Sequence, residues 1–218
     1  NNNESIWLGS GENVGGRHVG IGHGIYQSID GGKTWKNKGL KKSEHLSKII
    51  IHPKKSNIIW VASQGPLWSS GGERGLFKTV DGGKTWKNTL EINEWTGVTD
   101  IIIDPRNPDI LYCASWQRHR NVASFIGGGP GTSIYKSTDG GENWGKINKG
   151  LPSSNMGKIG LAISPINPDI LYAAVETERR KGAVYRSANS GGNWKKMSET
   201  VSAGTGPHYY QELVASPH

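Results

Sequence analysis

Two kinds of cluster in this chain carry residues able to do chemistry. The first is an acid in a Gly-rich turn, seen in SIDGGKTW (28–35), TVDGGKTW (79–86) and STDGGENW (137–144), and as SANSGGNW (187–194) with an amide in place of the acid. An acid in such a turn suggests calcium binding or general acid catalysis. A calcium loop needs several oxygen ligands at alternating positions and a distal Glu. Each of these turns offers one conserved-position acid, and the fourth replaces it with Asn189. The residue types fit a scaffold better. Ser28, Thr79, Ser137 and Ser187, with Asp30, Asp81, Asp139 and Asn189, can accept turn N–H groups. Gly32, Gly83, Gly141 and Gly191 relieve the steric limit on φ. Trp35, Trp86, Trp144 and Trp194 bring large apolar area to pack between neighbouring units.

The second kind of cluster is richer and irregular. Trp116, Gln117, Arg118, His119 and Arg120 are consecutive, and Arg17, His18, Trp68, Arg74, Trp95, Arg179, His208 and Tyr210 lie in other polar segments. Arg recognises carboxylate, sulfate or phosphate with two parallel hydrogen bonds. Exposed Trp or Tyr offers a stacking face to a sugar ring or an anchor to a peptide. This set predicts a ligand-binding rim for a glycan, peptide or protein, with an anionic ligand well matched. Glu12, Glu176 and Glu212 are the acids available there for catalysis, with Tyr209 beside them. Glycoside hydrolysis would need two of them roughly 5 to 9.5 Å apart.

What must position these residues is a repeat. The turn anchors Asp30, Asp81, Asp139 and Asn189 are 51, 58 and 50 residues apart. Between them recur KIIIHPKKSNIIWVAS (48–63), DIIIDPRNPDILYCAS (100–115) and LAISPINPDILYAAV (161–175). Each is an apolar run, a Pro-bearing polar turn and a second apolar run, a hairpin signature. One unit is therefore four strands, as in Ile101–Ile103, Ile110–Ala114, Ser133–Ser137 and Trp144–Ile147. Four strands per unit predict an all-β propeller of four-stranded antiparallel blades. The expected boundaries are 46–92, 98–150 and 157–200, with a split blade of 213–218 plus 1–40. The chain opens on a second strand at Ser5–Gly9 and closes on a first strand at Leu213–Pro217. Four blades' worth of strands fit either a closed ring or an arc of a larger propeller, and further blades of the same parent protein are the expected neighbours.

Antiparallel order sorts the loops. The Pro turns and the repeated turns share one face, uniform from unit to unit. Loops 10–24, 63–75, 115–133 and 175–183, with connections 91–98, 148–158 and 198–212, share the other. That irregular face is where a site on a rigid scaffold belongs. Most other aromatics are repeat-periodic: Trp7, Trp60, Tyr112 and Tyr172 on second strands, and Tyr26, Phe77, Tyr135 and Tyr185 on third strands. They read as packing.

Composition excludes several classes. Hydrophobic residues are 33%, Gly is 32 of 218, and the net charge is +8. This suits short strands and Gly-rich turns over a helical bundle. No run approaches the roughly 18 apolar residues of a membrane helix, so no membrane insertion is expected. The basic residues are scattered in small groups, with no nucleic-acid-binding signature. The seven His form no close-spaced ligand set, so no metal or cofactor is predicted. GGGPG (127–131) lacks the Lys-Ser/Thr of a phosphate loop. The single Cys113 sits in an apolar run and does not fix the compartment.

The four S-x-D-x-G-x-T-W turns resemble the Asp-box, or bacterial neuraminidase repeat, superfamily of β-propellers. DPRNPDILYCAS, SPINPDILYAAV, SWQRHR and GGGPGTSIYKSTDGG look most like exported bacterial proteins with sortilin-like, glycosyl-hydrolase-like propellers. The resemblance covers essentially the whole chain. It implies a secreted, periplasmic or cell-surface location, more blades than four, and either a ligand-binding scaffold or part of a sialidase-like or polysaccharide-cleaving glycoside hydrolase. Tyr209-Tyr210 near Glu212 is similar to the Glu-activated Tyr of sialidases, but the N-terminal Arg motif of that family is not recognisable here. The binding scaffold is the expected role, with the site opposite the Asp-boxes.

Overall fold

The computed structural model describes residues 4–178, 181–200 and 212–217. Every regular element among them is a strand. The first unit holds β1 (Ile6–Gly9), β2 (Ile25–Ser28) and β3 (Lys36–Asn37). The second holds β4 (Leu46–Ile51), β5 (Ile59–Ser63), β6 (Gly75–Thr79) and β7 (Lys87–Leu90). The third holds β8 (Thr96–Ile103), β9 (Leu111–Gln117), β10 (His119–Arg120), β11 (Phe125–Ile126), β12 (Ile134–Ser137) and β13 (Gly145–Lys146). The fourth holds β14 (Ile159–Ile163), β15 (Leu171–Glu178), β16 (Lys181–Ser187) and β17 (Lys195–Thr200).

Three of the units form four-stranded antiparallel sheets in the orders β4-β5-β6-β7, β8-β9-β12-β13 and β14-β15-β16-β17, and the first forms a three-stranded sheet β1-β2-β3. The chain folds as an all-β propeller of such blades. Residue type follows position. In β5 every residue of IWVAS is buried, because a central strand is covered on both faces by neighbouring blades. β-branched and aromatic side chains suit that surface. The outermost strands β3 and β13 are two residues long, which leaves little open edge for unwanted pairing.

The core lies between blades. Ile59, Val61 and Phe77 pack with Ile25 and Leu40 of the first blade. Leu111 and Cys113 pack with Trp60 and Ala62, and Leu171 and Ala173 with Tyr112 and Ala114. The turn tryptophans join this seam. Trp86 meets Trp7 edge to face with centroids 6.4 Å apart, and its Nε1 donates to Lys38 O of the preceding blade at 2.8 Å. Trp194 donates to Ile147 O in the same way at 2.7 Å.

Inner strands are stitched by hydroxyls at β-bulges, where one extra residue escapes the ladder. Ser47 sits at the bulge of β4 and donates to Val98 O of β8 at 3.1 Å. Thr99 sits at the bulge of β8 and donates to Ile159 O of β14 at 3.1 Å.

The strand expected at Leu213–Pro217 is not formed. Residues 212–217 carry no regular structure, and no ladder among the described residues joins them to β1. Val214 is 93% exposed, so the flank that would bury a strand there is open.

Candidate functional site

The turn face is a scaffold built by hydrogen bonds. Gly82, Gly140 and Ser190 donate backbone N–H groups to Asn57, Asp109 and Asp169, tying each repeated turn to the Pro turn of its own blade. Within the first turn, Ser28 Oγ donates to Asp30 Oδ1 at 2.7 Å, and Thr34 donates through both N–H and Oγ1. These donors hold the Asp30 carboxyl down to about 2, with Thr34 the largest contributor. Asp81 and Asp139 are held well below the usual carboxylate range by the equivalent Thr85 and Asn143. A carboxylate with its lone pairs so occupied is a poor proton carrier. Asn189 reproduces the geometry without charge, accepting from Ser187 Oγ and Asn193 N, each at 2.9 Å.

On the opposite face, the structure divides the expected rim residues into two groups. Arg74, Trp116 and Arg118, expected at an exposed rim, are buried instead. Arg74 is 3% exposed, and its guanidinium donates to Gly71 O, Gln64 O, Pro66 O and Ser69 O. It is the hub around which loop 63–75 winds. Trp116 is 1% exposed, with Nε1 donating to Gly127 O at 2.8 Å and its ring edge to face with Phe125. Arg118 is fully buried and donates to Val14 O at 2.8 Å and Gly65 O at 3.2 Å. In each case a loop carbonyl takes the side-chain donor, as buried carbonyls require partners. Gln117 likewise supports its own loop, its Oε1 accepting from Gly131 N at 2.9 Å.

The second group stays at the surface. Trp68 is exposed. Trp95 and His119 are half-buried, with ring centroids 4.2 Å apart at a 43° tilt. The backbone brings these three rings toward one another, since Arg118 N donates to Trp95 O and Arg120 N to Leu67 O. Arg120 is half-buried, with Nη2 on Gly15 O at 2.8 Å and its guanidinium 4.6 Å from the Phe125 ring. Arg17 and His18 are exposed on loop 10–24, and Arg17 reaches Val122 O at 3.4 Å. The acids are engaged structurally. Glu12 accepts from Gly20 N at 2.9 Å, and the buried Glu176 accepts from Lys158 N at 3.3 Å. Glu212 lines a cavity of about 250 Å³ where β4, β8 and β14 converge, together with Lys48, Asp100 and Lys158. Arg179, His208, Tyr209 and Tyr210 lie outside the described residues.

Three polar residues of this face were not singled out by the sequence. Lys158 is 3% exposed and donates to Asn13 O at 2.7 Å. Burial first, then Arg118, brings its ammonium down to about 8. Its signal was available: counted back from the Pro turns, Lys158 occupies the position of Leu46 and Val98, both buried and apolar. Asp100 takes Lys48 Nζ at 2.8 Å, Ile101 N at 2.9 Å and Leu161 N at 2.8 Å, so it ties three blades. His45 is fully buried, and burial, with Arg118 and Arg74 nearby, brings its imidazole down to about 4.

No protein-family model matches the chain. It is similar to a probable oligoxyloglucan-reducing end-specific xyloglucanase of Neosartorya fischeri, with 29% identity over 104 residues, 46% of this chain and 10% of that protein. It is also similar to a xyloglucanase of Acetivibrio thermocellus, with 29% identity over 143 residues, 56% of this chain and 14% of that protein. Among solved structures, the GH74 xyloglucanase from Xanthomonas campestris superposes with a TM-score of 0.66 at 15% identity, covering 90% of this chain and 28% of that one. The GH74 enzyme of Niastella koreensis gives 0.66 at 18% identity over the same shares. The fold is thus that of propeller glycosyl hydrolases, and the chain spans a tenth to a seventh of the length of these curated relatives.

Proposed function

We propose that this chain is part of an exported, carbohydrate-acting propeller protein of the Asp-box type, a xyloglucanase-like glycoside hydrolase, in which this arc supplies glycan-binding surface. The observation that carries the reading is the 29% identity to two xyloglucanases over about half the chain. The geometry supports it through the Trp95–His119 ring pair and the exposed Trp68 on the loop face, which offer stacking surfaces to sugar rings. Incubating the full chain with xyloglucan tests it, with new reducing ends and retardation in a xyloglucan gel as readouts. Absence of both cleavage and retardation would overturn the reading.

A second reading keeps the binding and drops the hydrolysis, as in a sortilin-like ligand-binding propeller. It is favoured by one observation: Glu12 and Glu176 are each tied to backbone N–H groups of the loops. Retardation without cleavage supports it.

We also infer an arc and not a closed ring. Ile6 and Leu8 of β1 are 39% and 44% exposed, while their counterparts Ile59, Val61, Leu111 and Cys113 are at 0%. Those counterparts are covered by a preceding blade. Trp35, whose equivalents Trp86 and Trp194 lie on the preceding blade, is 41% exposed. A further blade of the same kind is the complementary cover.

A further inference from the structure

We propose that the seam between the first and second blades holds a binding site for a neutral saccharide on the turn face, away from the irregular loops. The site stands on a cavity and its lining. The choice of a saccharide among neutral ligands rests on the glycan reading above.

Three seams within one molecule allow a direct comparison. Between the second and third blades, Lys78 lies along the seam, with Nζ 5.9 Å from the Trp60 ring and 2.7 Å from Glu142 Oε1 of the next turn. Between the third and fourth, Lys136 has Nζ 5.4 Å from the Tyr112 ring and 3.2 Å from Ser190 O. The matching residue of the first blade is Gln27, and Lys84 stands where Glu142 does in the next turn. Gln27 is shorter and uncharged, and Lys84 offers it no acid. Gln27 turns back on its own blade instead, its Nε2 donating to Ser5 Oγ at 3.2 Å. A cavity of about 470 Å³ lies at this seam, with Trp7, Gln27, His52 and Asn57 in its lining. That volume is in the range of small-molecule sites.

The indole is turned over as well. At the second seam the Nε1 edge of Trp60 meets the turn: a Cβ on Gly141 would lie 2.7 Å from it, and Nε1 donates to Gly140 O at 3.0 Å. At the first seam the benzo edge of Trp7 takes that place, with Cη2 2.7 Å from a Cβ on Gly83. The Trp7 Nε1–H therefore lacks the carbonyl that Trp60 uses. Among the described residues it has no other acceptor, and it is not sealed from solvent.

The chemistry of the lining is neutral and two-sided. No Asp, Glu, Lys or Arg lines the cavity, in a chain with 26 basic and 18 acidic residues. Lys38, which follows β3, comes within 6.0 Å of the Trp7 ring but is not part of the lining. An ion entering there would lose hydration with no opposite charge to offset it. Hydrogen bonds of both senses are on offer. His52 Nδ1 accepts from Lys54 N at 3.0 Å and Lys55 N at 3.1 Å, which leaves the ring proton on Nε2 as a donor. Trp7 Nε1–H is a second donor. Gln27 and Asn57 each turn the NH2 group to the chain, on Ser5 Oγ and on Val80 O at 2.6 Å, and so keep Oε1 and Oδ1 as acceptors. Sugar hydroxyls both donate and accept, and the Trp7 ring offers stacking surface to the apolar face of a pyranose. A neutral saccharide matches the donors, the acceptors and the ring together.

The test titrates the isotope-labelled full chain with cellobiose and xylobiose, follows the tryptophan indole N–H resonances, and uses glycerol as a polyol without a ring. The Trp7 resonance is expected to move and saturate with at least one disaccharide, and glycerol to bind about tenfold or more weakly. Gln27→Lys with Lys84→Glu copies the Lys78–Glu142 seam. This double variant should keep or exceed the parent Tm and weaken the disaccharide by about tenfold or more. His52→Asn keeps an acceptor for the Pro turn, as Asp104 supplies in the third blade, and should weaken binding by about threefold or more. A Trp7 resonance unmoved by both disaccharides overturns the proposal, as does affinity unchanged in both variants. Glycerol binding as tight as the disaccharide overturns the assignment to a saccharide. Failure of the glycan reading shows separately, in the xyloglucan assays and in the Trp95 resonance of the loop face.

Discussion

Lys48 Nζ lies 2.8 Å from Asp100 Oδ1 and thereby joins the inner strands of two neighbouring blades. The pair is asymmetric. The Lys48 side chain is 44% exposed, while that of Asp100 is 11% exposed and accepts two further backbone N–H groups. Burial raises the Asp100 carboxyl against the pull of Lys48. Removing Lys48 strands a buried charge, whereas removing both charges does not. Lys48→Met is expected to destabilise the chain by about 2–3 kcal/mol, and Lys48→Met with Asp100→Asn by less than Lys48→Met alone. Urea unfolding of the single and double variants measures the difference.

His45 makes stability fall in mild acid. Its imidazole is brought down to about 4 in the fold against 6.5 in the unfolded chain, so between these values only the unfolded state takes the proton. Stability from this residue is full above about pH 6.5 and is lost as pH falls toward about 4, a change of up to about 3 kcal/mol. His45→Leu should flatten this limb of the stability–pH curve. An unchanged slope between pH 4 and 6.5 would refute the assignment.

Trp95, immediately before β8, and Trp116, paired with Gly97 of that strand, should behave oppositely. Trp116 is enclosed, so Trp116→Ala is expected to cost about 3–5 kcal/mol in unfolding free energy. Trp95 is half-buried against His119, so Trp95→Ala should leave stability nearly intact and weaken retardation by xyloglucan about three- to tenfold. Equal effects of the two on binding and on stability would show that the ring pair is not a separate surface.

The repeated turns should tolerate loss of charge better than loss of hydrogen bonds. Asn189 already holds its turn without charge. Asp81→Asn is therefore expected to lower Tm less than Asp81→Ala does, by calorimetry. Reversal of that order would mean that charge, not the acceptor oxygen, organises the turn.

The free apolar face makes a prediction about assembly. Ile6→Ser with Leu8→Ser should leave the unfolding of this chain little changed, because both side chains are already exposed. In a protein that carries the further blade, the same pair should lower Tm clearly. Marked destabilisation of the chain alone would remove the case for an arc.

Much of the fold was legible because its determinants are local. Each turn needs Ser or Thr, Asp or Asn, Gly and Trp within eight residues, and each hairpin needs its Pro turn between two apolar runs. These fixed the strands, their antiparallel order and the separation of the two faces. The final strand was misplaced because apolar alternation at 213–217 says nothing about whether a neighbour is there to cover it. The residue types expected on the loop face were legible, but not which of them the fold buries. Arg74, Trp116 and Arg118 have the residue types of a binding rim, yet they satisfy carbonyls of their own and distant loops.

By itself, then, the sequence determined the blades and the face on which the irregular loops gather, since periodicity and turn chemistry act over a few residues. Only the tertiary structure decided which of the loop-face side chains are buried on carbonyls and which stay at the surface. That depends on loop 10–24 meeting residues 118, 120 and 158, and a buried donor is assigned by whichever acceptor folding brings near it, however far away in the chain.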